Sequence, residues 1–290
     1  MGAAAAAEGA AANLATFAPL GAGYSYRRAY RPDTFVRRER IGVLEIVAEH
    51  FMHDAAAVRA ELELLGENFT LVPHGLDLSL GSADGLDEAH LERFAELIAR
   101  VRPPWWSEHV AFTRAGGVSI GHLAPLPFTR EALDVLERNL ARARARIGDV
   151  PVVLENIAAP VRLAGSEMSE AAFLRELTAR TGCGLLLDVE NLHANALNFG
   201  EDPRALLEGL PRDAVVQLHL AGGHWSGGTY VDSHAYRIDE AVWALAAEAC
   251  ERFPIAAVVV ERDERLPAFG DLLAEIERAH ALGARAGRWP

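Results

Sequence analysis

Eight short apolar segments, alternating with stretches of helical amphipathicity, constrain the fold of this chain more than any other feature. Most of them are nearly continuous in Val, Ile and Leu, which is typical of strands covered on both faces of a parallel sheet. Because eight such strands favour closure over an open sheet, we predict an α/β fold of the (β/α)8 TIM-barrel type. The segments lie at 19–25, 43–48, 69–74, 105–112, 151–155, 184–189, 214–220 and 255–261.

The stretches between these segments carry the start and stop signals of helices. The predicted N-terminal caps are Asp87, Thr129, Ser169 and Asp202, and the predicted stops are Gly148, Gly182 and Gly283. The predicted helices span 53–65, 87–101, 129–147, 169–181, 203–210, 239–253 and 269–282. No Gly-rich phosphate-binding motif follows a strand, which argues against a nucleotide-binding sheet. A length of 290 residues suits one barrel. We predict a single TIM-barrel catalytic domain at 19–290, preceded by a disordered Ala-rich leader at 1–18.

Net charge, cysteine content and hydropathy indicate the classes of partner and the cellular compartment that this chain suits. The formal net charge of −13 disfavours nucleic acid, and we interpret the short Arg pair at 27–28 and the Arg-Arg-Glu-Arg run at 37–40 as solvated helix faces. Cys183 and Cys250 lie in a strand-like and a helix-like segment, which predicts two buried thiols rather than a disulfide. No apolar stretch approaches the ~18 residues of a membrane span. We therefore expect a cytoplasmic protein without a nucleic-acid or membrane partner.

Side chains of metal-binding types follow the ends of nearly all the predicted strands. Because the chemistry of this fold lies at the C-terminal ends of the strands, these groups would meet at one mouth. A single strand-end histidine is more often a core residue, and a ring of structural ion pairs is the plain alternative. Four histidines and several carboxylates from separate strands favour a metal site. These residues are Glu49, His50, His74, Glu108, His109, Glu155, Asn156, Asp188, Glu190, Asn191, His219, His224, Asp232, His234, Glu261 and Asp263.

The types of donor indicate which ions the site would bind. Imidazoles and carboxylates suit Fe, Mn, Zn or Co, and the absence of paired thiolates argues against a closed structural zinc site. The donors outnumber the four to six that one ion needs, which predicts two or three ions bridged by carboxylates. His193 is equally consistent with a ligand and with a pocket wall. We expect His53, His90, His122 and His280 at the surface and Trp105 and Trp106 in the barrel wall.

Two related groups of barrels resemble this sequence. The order of the strand-end residues resembles the three-metal site of the endonuclease IV and xylose-isomerase-like barrels. The local motifs more closely resemble the multinuclear non-haem iron-dependent oxidative enzymes, a family that includes the methanobactin-biosynthesis oxidase. Seven motifs, spread in order over roughly residues 20–265, carry this resemblance: EIVAEHFM, HGLDLSLGS, SEHVAF, VVLENIA, LLLDVENLHAN, QLHLAGG and VDSH.

The resemblance implies a specific chemistry. Members use two or three iron ions and O2 to oxidise a residue, typically cysteine, of a ribosomally synthesised precursor peptide. A small partner protein often delivers the leader of that peptide. Glu155 is implied as the bridging carboxylate. The implied metal ligands are His74, His109, Glu155, Asp188, Asn191, His219, Asp232, His234 and Glu261, with Glu49, His50, Glu190, His193 and His224 as weaker candidates.

The sequence also departs from the family pattern. It has His50 where the family usually has Asn after the glutamate, and Glu190 where an asparagine is common. Two other functions remain open at this point. One is a Zn- or Mn-dependent hydrolase or isomerase of the endonuclease IV or xylose isomerase type. The other is a barrel that binds metal or peptide without turnover.

Overall fold

Eight parallel strands close into one barrel in chain order, as a computed structural model shows for residues 17–290. Each predicted apolar segment contains one of them, so the (β/α)8 prediction is confirmed. The predicted leader falls almost wholly in residues 1–16, which lie outside the described range. The barrel strands are β1 (Gly21–Ser25), β2 (Leu44–Val47), β3 (Leu71–His74), β4 (Trp106–His109), β5 (Val152–Glu155), β6 (Gly184–Asp188), β7 (Val215–Leu220) and β8 (Ala257–Val260).

Helices cover the outside of the barrel, and four of them begin at the predicted caps. The side chains of Asp87, Thr129, Ser169 and Asp202 each accept a backbone N–H of the first turn. No helix within the described residues is long and apolar enough to cross a membrane. The helices are α1 (Arg31–Val36), α2 (Ala48–Phe51), α3 (Ala56–Asn68), α4 (Glu88–Val101), α5 (Arg130–Ile147), α6 (Glu170–Thr181), α7 (Val189–Phe199), α8 (Pro203–Gly209), α9 (Glu240–Arg252) and α10 (Phe269–Arg285).

Some boundaries differ from the predictions. Helix α3 begins and ends three residues later than predicted, and α10 runs through Gly283, the predicted stop. A Cβ at Gly283 would lie 2.0 Å from the ring of Trp289, so this glycine serves close packing rather than helix termination. Cys183 and Cys250 are both buried and free, as predicted.

One longer helix and two hairpins at the mouth of the barrel were not predicted, and neither was the short helix α2. Helix α7 begins directly after β6, without a turn signal, because the side chain of Asp188 accepts the N–H of Asn191 and caps it. Two antiparallel hairpins also extend from the mouth. The first hairpin pairs Phe112–Ala115 with Val118–Ala124, and the second pairs His224–Ser226 with Thr229–Val231.

The lower interior of the barrel is apolar, and a polar column rises from it towards the mouth. Phe17 packs edge-on against Trp105 with ring centroids 5.0 Å apart, so the described chain begins at the floor. Trp105 is fully buried, as predicted, and its Nε1 donates to Gln217 Oε1 at 2.7 Å. Gln217 Nε2 in turn donates to Glu45 Oε2 at 2.7 Å. These contacts connect the floor to the side chains at the strand ends.

Gly23 sets the close approach of β1 to the segment that leads into β2. A Cβ at this position would lie 1.7 Å from the carbonyl oxygen of Val43. Because backbone must move to admit it, we expect Gly23→Ala to lower the free energy of unfolding by about 3 kcal/mol or more. Urea unfolding followed by circular dichroism would measure this. Gly270→Ala is the matched control, because open space surrounds Gly270 in α10 and the variant should keep wild-type stability or gain a little. Equal midpoints for the two variants would contradict the prediction.

Candidate metal centre

The ends of the barrel strands place the predicted ligands in one buried group. His74, His109, Glu155 and Asp188 are the last residues of β3, β4, β5 and β6. The parallel register sets His109 beside Glu155 and Asp188 beside His219. Glu261 directly follows β8. The resulting group is buried throughout and comprises His74, His109, Glu155, Asp188, His219 and Glu261.

Glu155 belongs to two sets of donors that lie on either side of it. Its Oε2 is 3.5 Å from His74 Nε2 and 3.4 Å from His109 Nε2. Its Oε1 is 3.6 Å from His219 Nδ1. Within each set, one donor atom per residue lies within 4.8 Å of all the others. The first set is His74, His109 and Glu155, and the second set is Glu155, Asp188, His219 and Glu261.

A fixed partner orients each of the three histidine rings. His74 Nδ1 lies 2.8 Å from Ser107 Oγ, and His109 Nδ1 donates to Glu108 Oε1 at 3.1 Å.

His219 Nε2 donates to Glu45 Oε2 at 2.8 Å. In each ring this leaves the other nitrogen facing the donor sets, which is the arrangement found around histidines that bind metal. Sequence reasoning missed Glu45 and Ser107. A carboxylate inside the apolar run LEIV was the signal that could have identified Glu45.

Three further predicted ligands lie beside the two sets. His234 Nε2 is 2.9 Å from Asp232 Oδ1, and His234 Nδ1 is 3.5 Å from Glu261 Oε2. Asn191, in the first turn of α7, faces the same cavity of about 260 Å³ as Asp232, His234 and Glu155. These three side chains line the cavity beside the second set.

Many buried polar atoms of this region have no hydrogen-bond partner within the described residues. Each such atom costs on the order of 1–3 kcal/mol when nothing satisfies it. A cluster of cations would satisfy them together, and nitrogen and oxygen donors without thiolate suit Fe, Mn, Zn or Co. The residues therefore fit a multinuclear metal centre. The atoms are Glu155 Oε2, Asp188 Oδ2, Asn191 Oδ1, His219 Nδ1, Asp232 Oδ1 and both ring nitrogens of His234.

Arg27 also lines the cavity, although we interpreted it as part of a solvated helix face. That interpretation was wrong for Arg27, whose side chain is only 15% exposed and pairs with Asp263. Asp263 Oδ2 lies 3.1 Å from His234 Nδ1. Arg27 lies between β1 and α1, and it approaches Asp263 because the barrel closes between β1 and β8. The local sequence therefore carried no signal for this contact.

The sequence of the barrel matches a known enzyme family over nearly its whole length. The model of the RiPP precursor modification enzymes MbnB/TglH/ChrH matches residues 21–284, which include every barrel strand. The chain belongs to this family. RiPPs are ribosomally synthesised and post-translationally modified peptides, so membership makes this protein an enzyme of precursor-peptide modification, as the sequence motifs implied.

Relatives share the sequence of this chain, and solved structures share its fold. A UPF0276 protein of Caulobacter vibrioides is 38% identical over 259 residues, covering 89% of this chain and 92% of its own. One from Streptomyces avermitilis is 40% identical over 287 residues, but this chain spans only 58% of it. Endonuclease IV of Thermus thermophilus superposes with a TM-score of 0.57 at 17% identity, covering 90% of this chain and 98% of its own. The xylose isomerase domain protein of Planctomyces limnophilus gives 0.59 at 14%, covering 94% and 100%. These structures establish a xylose-isomerase-like barrel.

The first departure from the family pattern lies outside the donor sets. His50 is exposed on α2. Glu49 is turned away, since its Oε1 accepts the N–H groups of Leu76 at 3.0 Å and Asp77 at 3.1 Å. It also lies 3.4 Å from Nε2 of His90, which is buried. The predicted surface position of His90 was therefore wrong.

The second departure, Glu190, lies next to the centre. It is fully buried, and neither carboxylate oxygen has a hydrogen-bond partner among the described residues. Burial, with a contribution from Asp232, raises its pKa to about 8. The other weak candidates lie further out. His193 packs edge-on against Tyr230, and His224 Nδ1 lies 3.1 Å from Ser233 Oγ.

Clustered carboxylates govern protonation of the metal-free centre. Burial raises the pKa of Asp188 well above its ordinary value, and Glu155 and Asp232 raise it further. Burial opposes the charged form of His109, but the carboxylates of Glu155 and Glu108 outweigh it and raise its pKa to about 9. The metal-free site therefore holds protons near neutral pH.

Metal binding by this family member should consequently release protons. A histidine ligand must be neutral, whereas His109 with a pKa of about 9 is protonated at pH 7. Because protons compete below that pKa, the metal affinity should rise as the pH increases from 6 towards 9. Titration calorimetry with Fe²⁺ or Mn²⁺ in buffers of different ionisation enthalpy would count the released protons. Zero release, or an affinity independent of pH, would contradict the prediction.

Proposed function

We propose that this protein is a multinuclear non-haem iron enzyme that uses O2 to oxidise a cysteine of a ribosomally synthesised precursor peptide. The observation that carries the proposal is Glu155, one buried carboxylate that faces two donor sets with its two oxygens. Family membership supplies the peptide substrate. We include in the proposal a cytoplasmic location and a small partner protein that delivers the peptide leader.

Different residues of the cavity would hold different ions. The first and second donor sets would hold one ion each, and Asn191, Asp232 and His234 would hold a third. Bound iron would supply the one-electron chemistry that O2 requires. The cavity of about 260 Å³ above the donor sets leaves room for a substrate side chain. Its apolar wall includes Val47, Leu76 and Leu123, which would exclude water from the reacting group.

The Arg27–Asp263 pair is the ionic part of the cavity wall. Asp263 holds Arg27 on one side and approaches His234 Nδ1 at 3.1 Å on the other. The backbone of His234 lies in the left-handed region, with a φ of 50°. In the proposed enzyme the pair would orient a substrate backbone carbonyl or carboxylate through the guanidinium.

Metal analysis and O2 consumption test the proposal together. Protein purified without O2 should contain about two or three iron ions per chain, and its Mössbauer spectrum should show more than one iron environment. A Cys-containing precursor peptide encoded beside the gene should stimulate O2 consumption, and its serine variant should not.

Other outcomes would overturn the proposal. Less than one iron per chain, or no stimulation by the precursor peptide, would contradict it. The donor types equally suit Zn or Mn. Turnover that needs one of these ions and no O2 would instead support a hydrolase or isomerase. Iron binding without any turnover would support a non-catalytic barrel.

A further inference from the structure

A second cavity, of about 520 Å³, opens beside the metal centre on the same face of the barrel. We call it the side groove. It lies between the segment after the first hairpin, the loop that follows β5, and helices α7 and α8. Its volume falls in the range of ~300–1,000 Å³ that is usual for ligand sites. The apolar part of its wall is formed by Leu126, Phe128, Val161, Leu163, Leu192 and Leu206.

The rim of the side groove carries apolar side chains that the fold does not need. Val161 is 54% exposed and Leu163 is 37% exposed, and both belong to the loop after β5 rather than to the core. Exposed apolar residues gathered around a concave surface are characteristic of a binding site. A partner that covers them would remove this apolar area from water.

The side groove adjoins the metal cavity along two short stretches of chain. On α7, Asn191 lines the metal cavity and the next residue, Leu192, lines the side groove. At the end of the first hairpin, Leu123 lines the cavity, and Pro125, just after the hairpin, lines the groove. A peptide extends about 3.3 Å per residue. An extended segment in the groove could therefore place a residue a few positions away over the donor sets.

Negative charge exceeds positive charge around the side groove. Glu170, Glu201 and Asp202 line it, whereas Arg162 is the cation among its lining residues. Arg162 Nε donates to Glu201 at 3.0 Å and its Nη1 lies 3.9 Å from Glu170. Burial raises the pKa of Glu170 to about 7 against the opposing charge of Arg162, so further positive charge nearby would stabilise the ionised carboxylate. A lysine or arginine side chain in the groove would supply it.

These observations point to a basic, apolar peptide as the occupant. We propose that the side groove binds an extended segment of the precursor peptide in which an apolar residue adjoins a lysine or arginine, close to the residue that is modified. The inference rests on the proposed function, because it takes the substrate to be a peptide.

Selection from a displayed library of random dodecapeptides on the intact protein, supplied with Fe²⁺ under anaerobic conditions, tests this inference. We expect enrichment of peptides in which a large apolar residue lies beside Lys or Arg. A fluorescently labelled peptide from the selection should lose about tenfold or more in affinity for Val161→Asp, as measured by fluorescence anisotropy. Val118→Asp is the matched control, because Val118 is an exposed valine on the first hairpin outside the groove, and it should bind as wild type does.

A separate variant tests the contribution of negative charge to peptide binding. Glu170→Gln should reduce the preference for the selected peptide over its Lys-to-Gln analogue, and it should leave the affinity for that analogue nearly unchanged. Enrichment of no peptide, enrichment of acidic peptides, or equal affinities for Val161→Asp and wild type would overturn the inference. A wild-type dimer that Val161→Asp dissociates would also overturn it and would identify a second copy as the occupant.

Iron analysis of the same preparations separates this inference from the proposed function. All three variants should retain the wild-type iron content, because their side chains lie outside the donor sets. Selected peptides that bind the groove of a protein unable to hold iron would support the inference and contradict the proposed function. If the enzyme contained iron and consumed O2 but bound the selected peptides equally well with and without the groove substitutions, the proposed function would be supported and this inference contradicted.

Discussion

Replacing Glu155 with glutamine is expected to remove most of the bound iron and to lower peptide-dependent O2 consumption by about a thousandfold or more. Glu155 is the member that the two donor sets share, with Oε2 facing His74 and His109 and Oε1 facing His219. Glutamine keeps the shape but loses the charge, and its amide nitrogen cannot bind a cation. One substitution should therefore damage both sets.

Iron content per chain and the Mössbauer spectrum would measure the loss. Glu63→Gln is the matched control, because it neutralises an exposed glutamate on α3 and should retain wild-type iron and activity. Thermal unfolding of the metal-free proteins would show whether the Glu155 variant is folded. A folded Glu155→Gln protein with the wild-type iron content and spectrum would exclude a bridging role for this carboxylate.

The barrel and most of the centre could be predicted because both follow from local sequence. Each apolar run contains its strand, and a strand that ends in a buried barrel delivers its last residue to the mouth. This is why His74, His109, Glu155 and Asp188, each the last residue of a strand, lie together. Because side chains alternate strictly between the two faces of a strand, the last residue of a strand has little freedom in where its side chain points.

Contacts between distant segments could not be predicted in the same way. Arg27 is located by its pairing with Asp263 across the closure of β1 and β8. His90 is buried through its contact with Glu49, which depends on how α4 packs beside α2. Helix α7 was missed because Asp188 is both the end of a strand and the cap of a helix. A residue with two structural roles shows only one of them in a sequence pattern.

The orientation of the histidine rings provides a test that distinguishes the two donor sets. Glu45 accepts from His219 Nε2, and Ser107 contacts His74 Nδ1. The partner of a metal-binding histidine usually contributes about 10- to 100-fold in metal affinity. We expect Glu45→Gln to weaken binding at the second set and Ser107→Ala to weaken binding at the first set.

Site-resolved Mössbauer spectra of protein titrated with ⁵⁷Fe²⁺ would show which iron environment fills last in each variant. Each variant serves as the control for the other, because both change a buried group near the same cavity. The Glu45 variant should have the larger effect, since it removes a charge from a fully buried chain of hydrogen bonds that includes Gln217. If both variants weakened iron binding in the same environment, Glu155 would not lie between two separate binding sites. The six buried donors would then act as one site with a single metal affinity.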